Sequence, residues 1–312
     1  MVCLISIFCI LGLLVKNVSA GDPVKVGIVL PLTGSQAEFG KIEKKSFDLA
    51  LEEINASGGI NGKKLELVIK DDTGRSEVSR SVVEKLITKD KVVMIGGGFS
   101  SSVTYAVAGV CQQNKMPFLV NTDSADKITA SGWDFIYRLN PPVSHYADAV
   151  TTLLAEKVKP KTVAILYENS QFGTKGAKSF EKICRKTGYK VVLKEGYEHG
   201  GMDYYKKFET KYNKFTMYYG AEAYSACYVI ADVLKRTKSF TNTDIKQALS
   251  ETDMMTAFGP VKFINWGNMK NQNKATAYVV QWIDGKLEVV WPTDHATKTF
   301  VYPVDWIKTW GY

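Results

Sequence analysis

The sequence predicts an α/β protein built as two doubly wound parallel-sheet lobes, the second of them truncated. Three observations carry this. From Asp22 onward, short buried-strand runs alternate with amphipathic helices, the pattern of a parallel sheet covered on both faces. Asn140-Pro141-Pro142 breaks the pattern, and a second alternating series follows. That second series holds two clear parallel-strand runs where the first holds four, too few to be buried on both faces without help.

The first strand is Val24–Leu30, closed by Pro31 and Gly34. A helix follows with Phe47, Ala50, Leu51 and Ile54 on one face, stopped by Gly58-Gly59. Asn61-Gly62 signals a tight turn into a strand over residues 65–69. After Asp71-Asp72, the spacing of Val78, Val82, Val83, Leu86 and Ile87 predicts a helix over Ser76–Thr88. Residues 92–95 form a third strand, broken by Gly96-Gly97-Gly98, and Ser100-Ser101-Ser102 opens a helix. Residues 117–120 form the fourth strand. Beyond Pro142 the pattern predicts a helix over 144–157, a strand over 162–166, a helix over 173–187 and a strand over 189–193. Helical stretches over 203–212 and 220–238 come next, with no buried strand between them. Two late strands, residues 277–282 and 287–291, joined at Asp284-Gly285, are expected to help complete the second sheet.

Composition narrows the function. The chain has 312 residues, 45% of them hydrophobic and 23% charged, which is an ordinary globular balance. The net charge of +8 is spread thinly, so a solvated surface is expected and no nucleic-acid partner. Residues 2–15 are almost wholly apolar but shorter than the ~20 residues of a membrane-spanning helix. Val18-Ser19-Ala20 offers the small residues of a cleavage site, so residues 1–20 are expected to be a secretory signal, although no Lys or Arg precedes the apolar run. Removal of the signal leaves Cys111, Cys184 and Cys227. Cys111 and Cys227 lie in apolar helical patterns and are expected to be buried free thiols.

In sheets of this kind ligands sit at the carboxyl ends of the strands. The loops to compare are therefore residues 31–40, 96–102 and 121–125. Gly96-Gly-Gly-Phe-Ser-Ser-Ser102 leads from a strand into a helix N-terminus, whose free N–H groups and serine hydroxyls make a seat for a carboxylate or phosphate. It lacks the third glycine of a dinucleotide fingerprint and the Lys of a phosphate loop. Thr122 and Ser124 leave the next strand at the same end and are expected to complete a polar pocket for a small anionic or zwitterionic ligand. Asp71-Asp72 is expected to cap the next helix rather than form an acid/base pair. His199 and Asp203 are separated by Gly200-Gly201, which argues against a metal-binding helix. The sequence offers no Gly-x-Ser-x-Gly elbow and no Cys with a visible His partner. It therefore points to no catalytic residues, metal or cofactor.

Pro31-Leu-Thr-Gly34, residues 52–62, Asp71-Asp72, residues 95–102, 117–124, 167–173 and Trp282-Ile-Asp-Gly285 together resemble the leucine/isoleucine/valine-binding protein family, the periplasmic solute-binding components of branched-chain amino acid ABC transporters. The likeness covers most of residues 22–305. It implies a type I periplasmic-binding fold whose two lobes close on a ligand. The implied lobes are residues 21–140 with about 217–270, and residues 141–216 with about 271–312. Carried over, Ser101 and Ser124 hold the ligand's carboxylate and amino group, Thr122 lies beside them, and Ser100 shares the serine loop. Phe39 covers the ligand and Tyr219 lines the cleft. Phe172 stands where the family often has Tyr, so a phenol donor is absent.

The resemblance also implies a deletion near Tyr205-Lys206, where about two β–α units of ~30 residues each are missing from the second lobe. Losing two hydrogen bonds to charged ligand groups would cost roughly 3–6 kcal/mol. The implied function is capture of a small amino acid or related carboxylate for delivery to an ABC transporter permease. The resemblance implies a monomer in the periplasm that performs no chemistry. The alternatives are a binding-defective or repurposed member of the family and, further off, a secreted α/β hydrolase.

Overall fold

The structure is a computed structural model that describes residues 22–168, 171–197, 218–275 and 277–303. Strand β1 (Val24–Leu30) is buried at nearly every position, as a strand with helices on both faces must be. Helix α1 (Ala37–Ala56) turns Gly40, Glu43, Phe47, Ala50 and Ile54 inward at alternating spacings of three and four. Strand β2 (Leu65–Asp71), helix α2 (Ser76–Thr88), strand β3 (Met94–Gly97), helix α3 (Ser101–Gln113) and strand β4 (Phe118–Val120) follow the predicted order. A short helix α4 (Lys127–Ala130) and strand β5 (Ile136–Arg138) complete the first series. These three-to-four-residue elements are too short to show a period in the sequence.

The second series runs through helix α5 (Val143–Leu153), a π turn at Leu154–Val158, strand β6 (Thr162–Glu168), helix α6 (Gln171–Thr187) and strand β7 (Lys190–Tyr197). Helix α7 (Tyr218–Arg236) then lies beside α1. Ala223, Ala226, Cys227, Val229 and Ile230 of α7 share one core with Phe47, Ala50 and Ile54. Helix α8 (Asn242–Ser250) is capped by Thr241, whose hydroxyl accepts from the Asp244 N–H. Strands β8 (Asp253–Thr256), β9 (Gly259–Trp266) and β10 (Met269–Asn273) return to the first series, and β11 (Val279–Ile283) and β12 (Lys286–Trp291) form a hairpin.

The large sheet has the order β2-β1-β3-β4-β5-β10-β9-β8, parallel through β10 and antiparallel from β10 to β8. The expected boundary near residue 270 thus falls inside a strand of this sheet. Two expectations are corrected. The 277–291 hairpin does not complete the second sheet: β11–β12 and β6–β7 are separate two-stranded sheets. Asp71 and Asp72 do not cap α2, whose N-cap is Arg75 without a side-chain bond. Asp71 instead ties the loop after β1, accepting from the N–H groups of Leu32 (2.8 Å) and Thr33 (3.2 Å) and from the Thr33 hydroxyl (2.6 Å). Asp72 accepts from the Gly74 N–H at 2.8 Å in a local turn.

The shortness of the second sheet shows in Leu166, Val192 and Leu193, which stand exposed on β6 and β7. Cys111, Cys184 and Cys227 are buried and free, in line with the expectation for Cys111 and Cys227. The expected signal at 1–20 and the helical stretch at 203–212 lie outside the described residues, as do His199 and Asp203.

Gly97 is a tight point near the carboxyl end of the sheet. Its φ is +110°, and a Cβ there would sit 2.3 Å from the Val29 carbonyl oxygen. Gly97→Ala is expected to cost about 2–3 kcal/mol, from left-handed strain plus overlap with backbone that cannot yield. Urea denaturation of the variant measures it, and a loss below about 1 kcal/mol would show that β3 can shift.

Candidate functional site

The turn after β3 and the segment after β4 are stitched together by backbone. The Asn121 N–H donates to the Gly97 carbonyl and the Asp123 N–H to the Gly98 carbonyl, both at 3.1 Å. This is why the two serine-bearing loops converge. Ser101 donates its hydroxyl to Asp123 Oδ1 at 2.7 Å, and Asp123 is the chain neighbour of Ser124. Ser101, Thr122 and Ser124 are therefore brought to one corner, each nearly buried. Ser100 is the N-cap residue of α3 but makes no side-chain cap bond. The first-turn N–H groups of α3 are thus not capped by the Ser100 side chain and remain a donor set next to Ser101.

The aromatic candidates also meet. Phe39 stacks on Phe99 with ring centres 5.0 Å apart, and Tyr219 meets both edge-on at 5.4 and 5.9 Å. They form an apolar wall beside the serine loop. Phe99 was not singled out in the sequence, although it stands between Gly98 and Ser100. The side chain of Phe172 lies outside the described residues.

Behind this surface is a polar layer that the sequence reading missed. Asn140 donates to the Thr122 carbonyl, to Ser124 Oγ at 2.8 Å and to the Tyr146 hydroxyl at 2.8 Å. Tyr146, on α5, shares a further hydrogen bond of 2.7 Å with Ser124. Its phenol thus ties the second series to the rim of the first sheet. The Thr122 hydroxyl donates to Glu43 Oε1 at 2.7 Å, and Asn121 donates to Glu43 Oε2 at 3.0 Å. Burial pushes the Glu43 carboxyl up to about 8, against those two donors. Burial also raises Asp123, opposed by the Ala125 N–H, Ser101 and the Arg138 guanidinium. A signal for Glu43 was available: it is a carboxylate on the inward stripe of α1.

The corner offers hydroxyl and amide donors, a helix N-terminus, buried acids and an aromatic wall, an arrangement that holds a small polar molecule with an apolar part. Among the described residues no group of three or more His, Cys, Asp or Glu could hold a metal ion. His145 pairs with Asp148 at 2.9 Å on the surface of α5.

A family model described as periplasmic binding protein matches residues 23–206. The chain is 30% identical over 200 residues to Leu/Ile/Val-binding protein homolog 7 of Brucella melitensis, a match over 62% of this chain and 50% of that protein. It is 29% identical over 185 residues to the leucine-, isoleucine-, valine-, threonine-, and alanine-binding protein of Pseudomonas aeruginosa, covering 59% of this chain and 49% of that one. The chain therefore spans about half the length of the curated relatives it matches. In fold it is similar to the branched-chain amino acid transporter substrate binding protein of Streptococcus pneumoniae, solved with isoleucine. The TM-score is 0.73 at 22% identity, over 86% of this chain and 99% of that one. A leucine binding protein of Thermotoga maritima gives a TM-score of 0.73 at 16% identity, over 85% of this chain and 97% of that one.

Proposed function

The chain belongs to the periplasmic binding protein family, and from that premise we propose that it captures a small amino acid or related carboxylate between two lobes for delivery to an ABC transporter permease. The observation that carries the reading is the convergence of Ser101, Thr122 and Ser124 at one corner of the large sheet, beside the Phe39–Phe99–Tyr219 wall. The α3 N-terminus with Ser100 and Ser101 takes the carboxylate, Ser124 and the Thr122 carbonyl take the amino group, and the aromatic wall takes the side chain. Phe172 is proposed to face the same cleft from the second lobe. The lobes are those expected from the sequence, with β8–β10 assigned to the first. No cofactor and no catalytic residue enter this reading. The names of the relatives, with branched-chain amino acids among their ligands, support the substrate class. Secretion through residues 1–20 to the periplasm accords with the family. Among the described residues no helix is long and apolar enough to cross a membrane.

Thermal denaturation against the protein amino acids and small carboxylates tests this. A ligand at 100 times its Kd adds about 2.7 kcal/mol and raises the midpoint by a few degrees. A flat response to the whole set would reject the reading. Because the second sheet is short, with Leu166, Val192 and Leu193 exposed, a binding-defective member remains the second reading, and that flat response is what it expects.

A further inference from the structure

Glu222 lies one turn beyond Tyr219 on α7. It is fully buried, and neither carboxyl oxygen has a hydrogen-bond partner. Its neighbours explain the shortage of donors. Thr122 is next to it but spends its one hydroxyl hydrogen on Glu43. The amide hydrogens of Asn121 go to Glu43 Oε2 and to the Thr122 hydroxyl oxygen, at 3.0 and 2.7 Å. The Asn140 amide serves the Thr122 carbonyl, Ser124 and Tyr146. Arg138, the cation acting on Tyr146, is held by Ala125, Gln272 and Thr129. A buried carboxylate without a donor is too costly to stay ionised, so Glu222 carries a proton while the site is empty.

Its surroundings give that proton a use. The ionisable groups facing Glu222 are Glu43 from α1 and Tyr146 from α5, while Asp72 acts on Glu43 and Arg138 on Tyr146. Neither near neighbour of Glu222 is a cation, so nothing beside it opposes a positive charge, and the one charge such a ligand would call up is that of Glu222 itself. Tyr146 feels the charge of Glu222 and has its hydroxyl set between Ser124 and Asn140.

We infer that Glu222 is the docking point for a cationic nitrogen of the ligand, a primary ammonium that replaces the Tyr146 hydroxyl beside Ser124 and drives the Glu222 proton into solvent. Capture is then coupled to release of about one proton, and the charge that holds the nitrogen comes from the first lobe. This rests on the solute-binding reading above and assigns the cation half of that site to a residue the sequence reading did not consider.

Titration calorimetry of the full chain near neutral pH, in two buffers of different ionisation heat, tests it. The probes are the protein amino acids and, for the tightest of them, the carboxylic acid lacking its amino group. The amino acid is expected to release about one proton and to bind about 10- to 100-fold more tightly than its amino-free counterpart. In Glu222→Gln the release disappears and the preference shrinks to a few-fold. Circular dichroism and the thermal midpoint report whether that variant is folded. A folded Glu222→Gln that keeps both the release and the preference overturns the inference. So does a wild-type protein that binds acid and amino acid equally, or without releasing a proton, and these two measurements decide the matter if the variant does not fold. Folded wild-type protein that binds none of the probes rejects the solute-binding reading itself, a distinguishable result.

Discussion

Stability is expected to fall as the pH rises from about 4.5 to about 8, and Glu43→Gln is expected to remove most of that fall. Burial pushes the Glu43 carboxyl from 4.5 up to about 8, with Asn121 and Thr122 opposing and the charge of Asp72 adding. In the unfolded chain the same group ionises at its ordinary value. Between the two values the native state keeps a proton that the unfolded chain has lost. Each pH unit in that window therefore costs the native state about 1.4 kcal/mol. The whole window gives an upper figure of about 5 kcal/mol, reduced by any relaxation of the site around the new charge. Asp72, pushed from 3.8 up to about 6 chiefly by burial, adds a loss of the same sign over its own window. Glu222 is raised in the same direction by burial and by Glu43. The substitution is well chosen because Asn121 Oδ1 has no partner, so that the introduced glutamine amide can donate to it after one amide flips. Urea denaturation at about pH 5 and pH 8.5 should show wild type losing several kcal/mol and Glu43→Gln losing at least about 2 kcal/mol less. Parallel losses would mean that Glu43 ionises normally in the native state.

The residues that make this prediction also show what was legible in the sequence. The alternation of β1 to β4 with their helices could be read because the helices are long enough to show a period, as Phe47, Ala50 and Ile54 do on α1, and apolar runs stand between them. The convergence of the serine loops could be read from topology, since both follow parallel strands at the same end of the sheet. Glu43 and Glu222 were missed for one reason. Neither was singled out beside the apolar residues, although both sit at inward positions of the two helices that pack together, α1 and α7. Asn140 and Tyr146 were hidden differently. Asn140 lies in the Pro-rich break between the two series, and Tyr146 reaches Ser124 from 22 residues away. The antiparallel return of β8 to β10 was missed as well, although Val261 and Phe263 alternate with outward residues on β9.

Arg138→Met is expected to destabilise the protein by about 3–5 kcal/mol, and Arg138→Lys to recover less than half of that. The guanidinium is fully buried. It donates to the Ala125 carbonyl at 2.6 Å, to Gln272 Oε1 at 2.7 Å and to the Thr129 hydroxyl at 3.0 Å. Those three acceptors belong to the loop after β4, to β10 and to α4. The pairing of β5 with β10 is confined to Arg138 and Gln272, so side chains carry much of the join: beside the Arg138 fork, Gln272 donates to the Asn140 carbonyl at 2.9 Å and Asn273 to the Leu139 carbonyl at 3.0 Å. Removing the fork leaves the Ala125 carbonyl without the Arg138 donor and Asp123 without its buried countercharge. A lysine keeps the charge but cannot meet three acceptors spread around a plane. Burial lowers Arg138 to about 10, with Asp123 and Asp126 opposing, so the group stays charged throughout the range in which the test is run. Urea denaturation of both variants at about pH 6 is the measurement, and a loss under about 1 kcal/mol in Arg138→Met would show the network to be dispensable. The same substitution reaches the candidate site. Without Arg138, Asp123 holds its proton more tightly, and Ser101 then donates to a neutral acid rather than to a carboxylate. Ser101 is thereby less firmly held, so the folded fraction of Arg138→Met should bind carboxylate ligands more weakly than wild type even after its stability loss is taken into account.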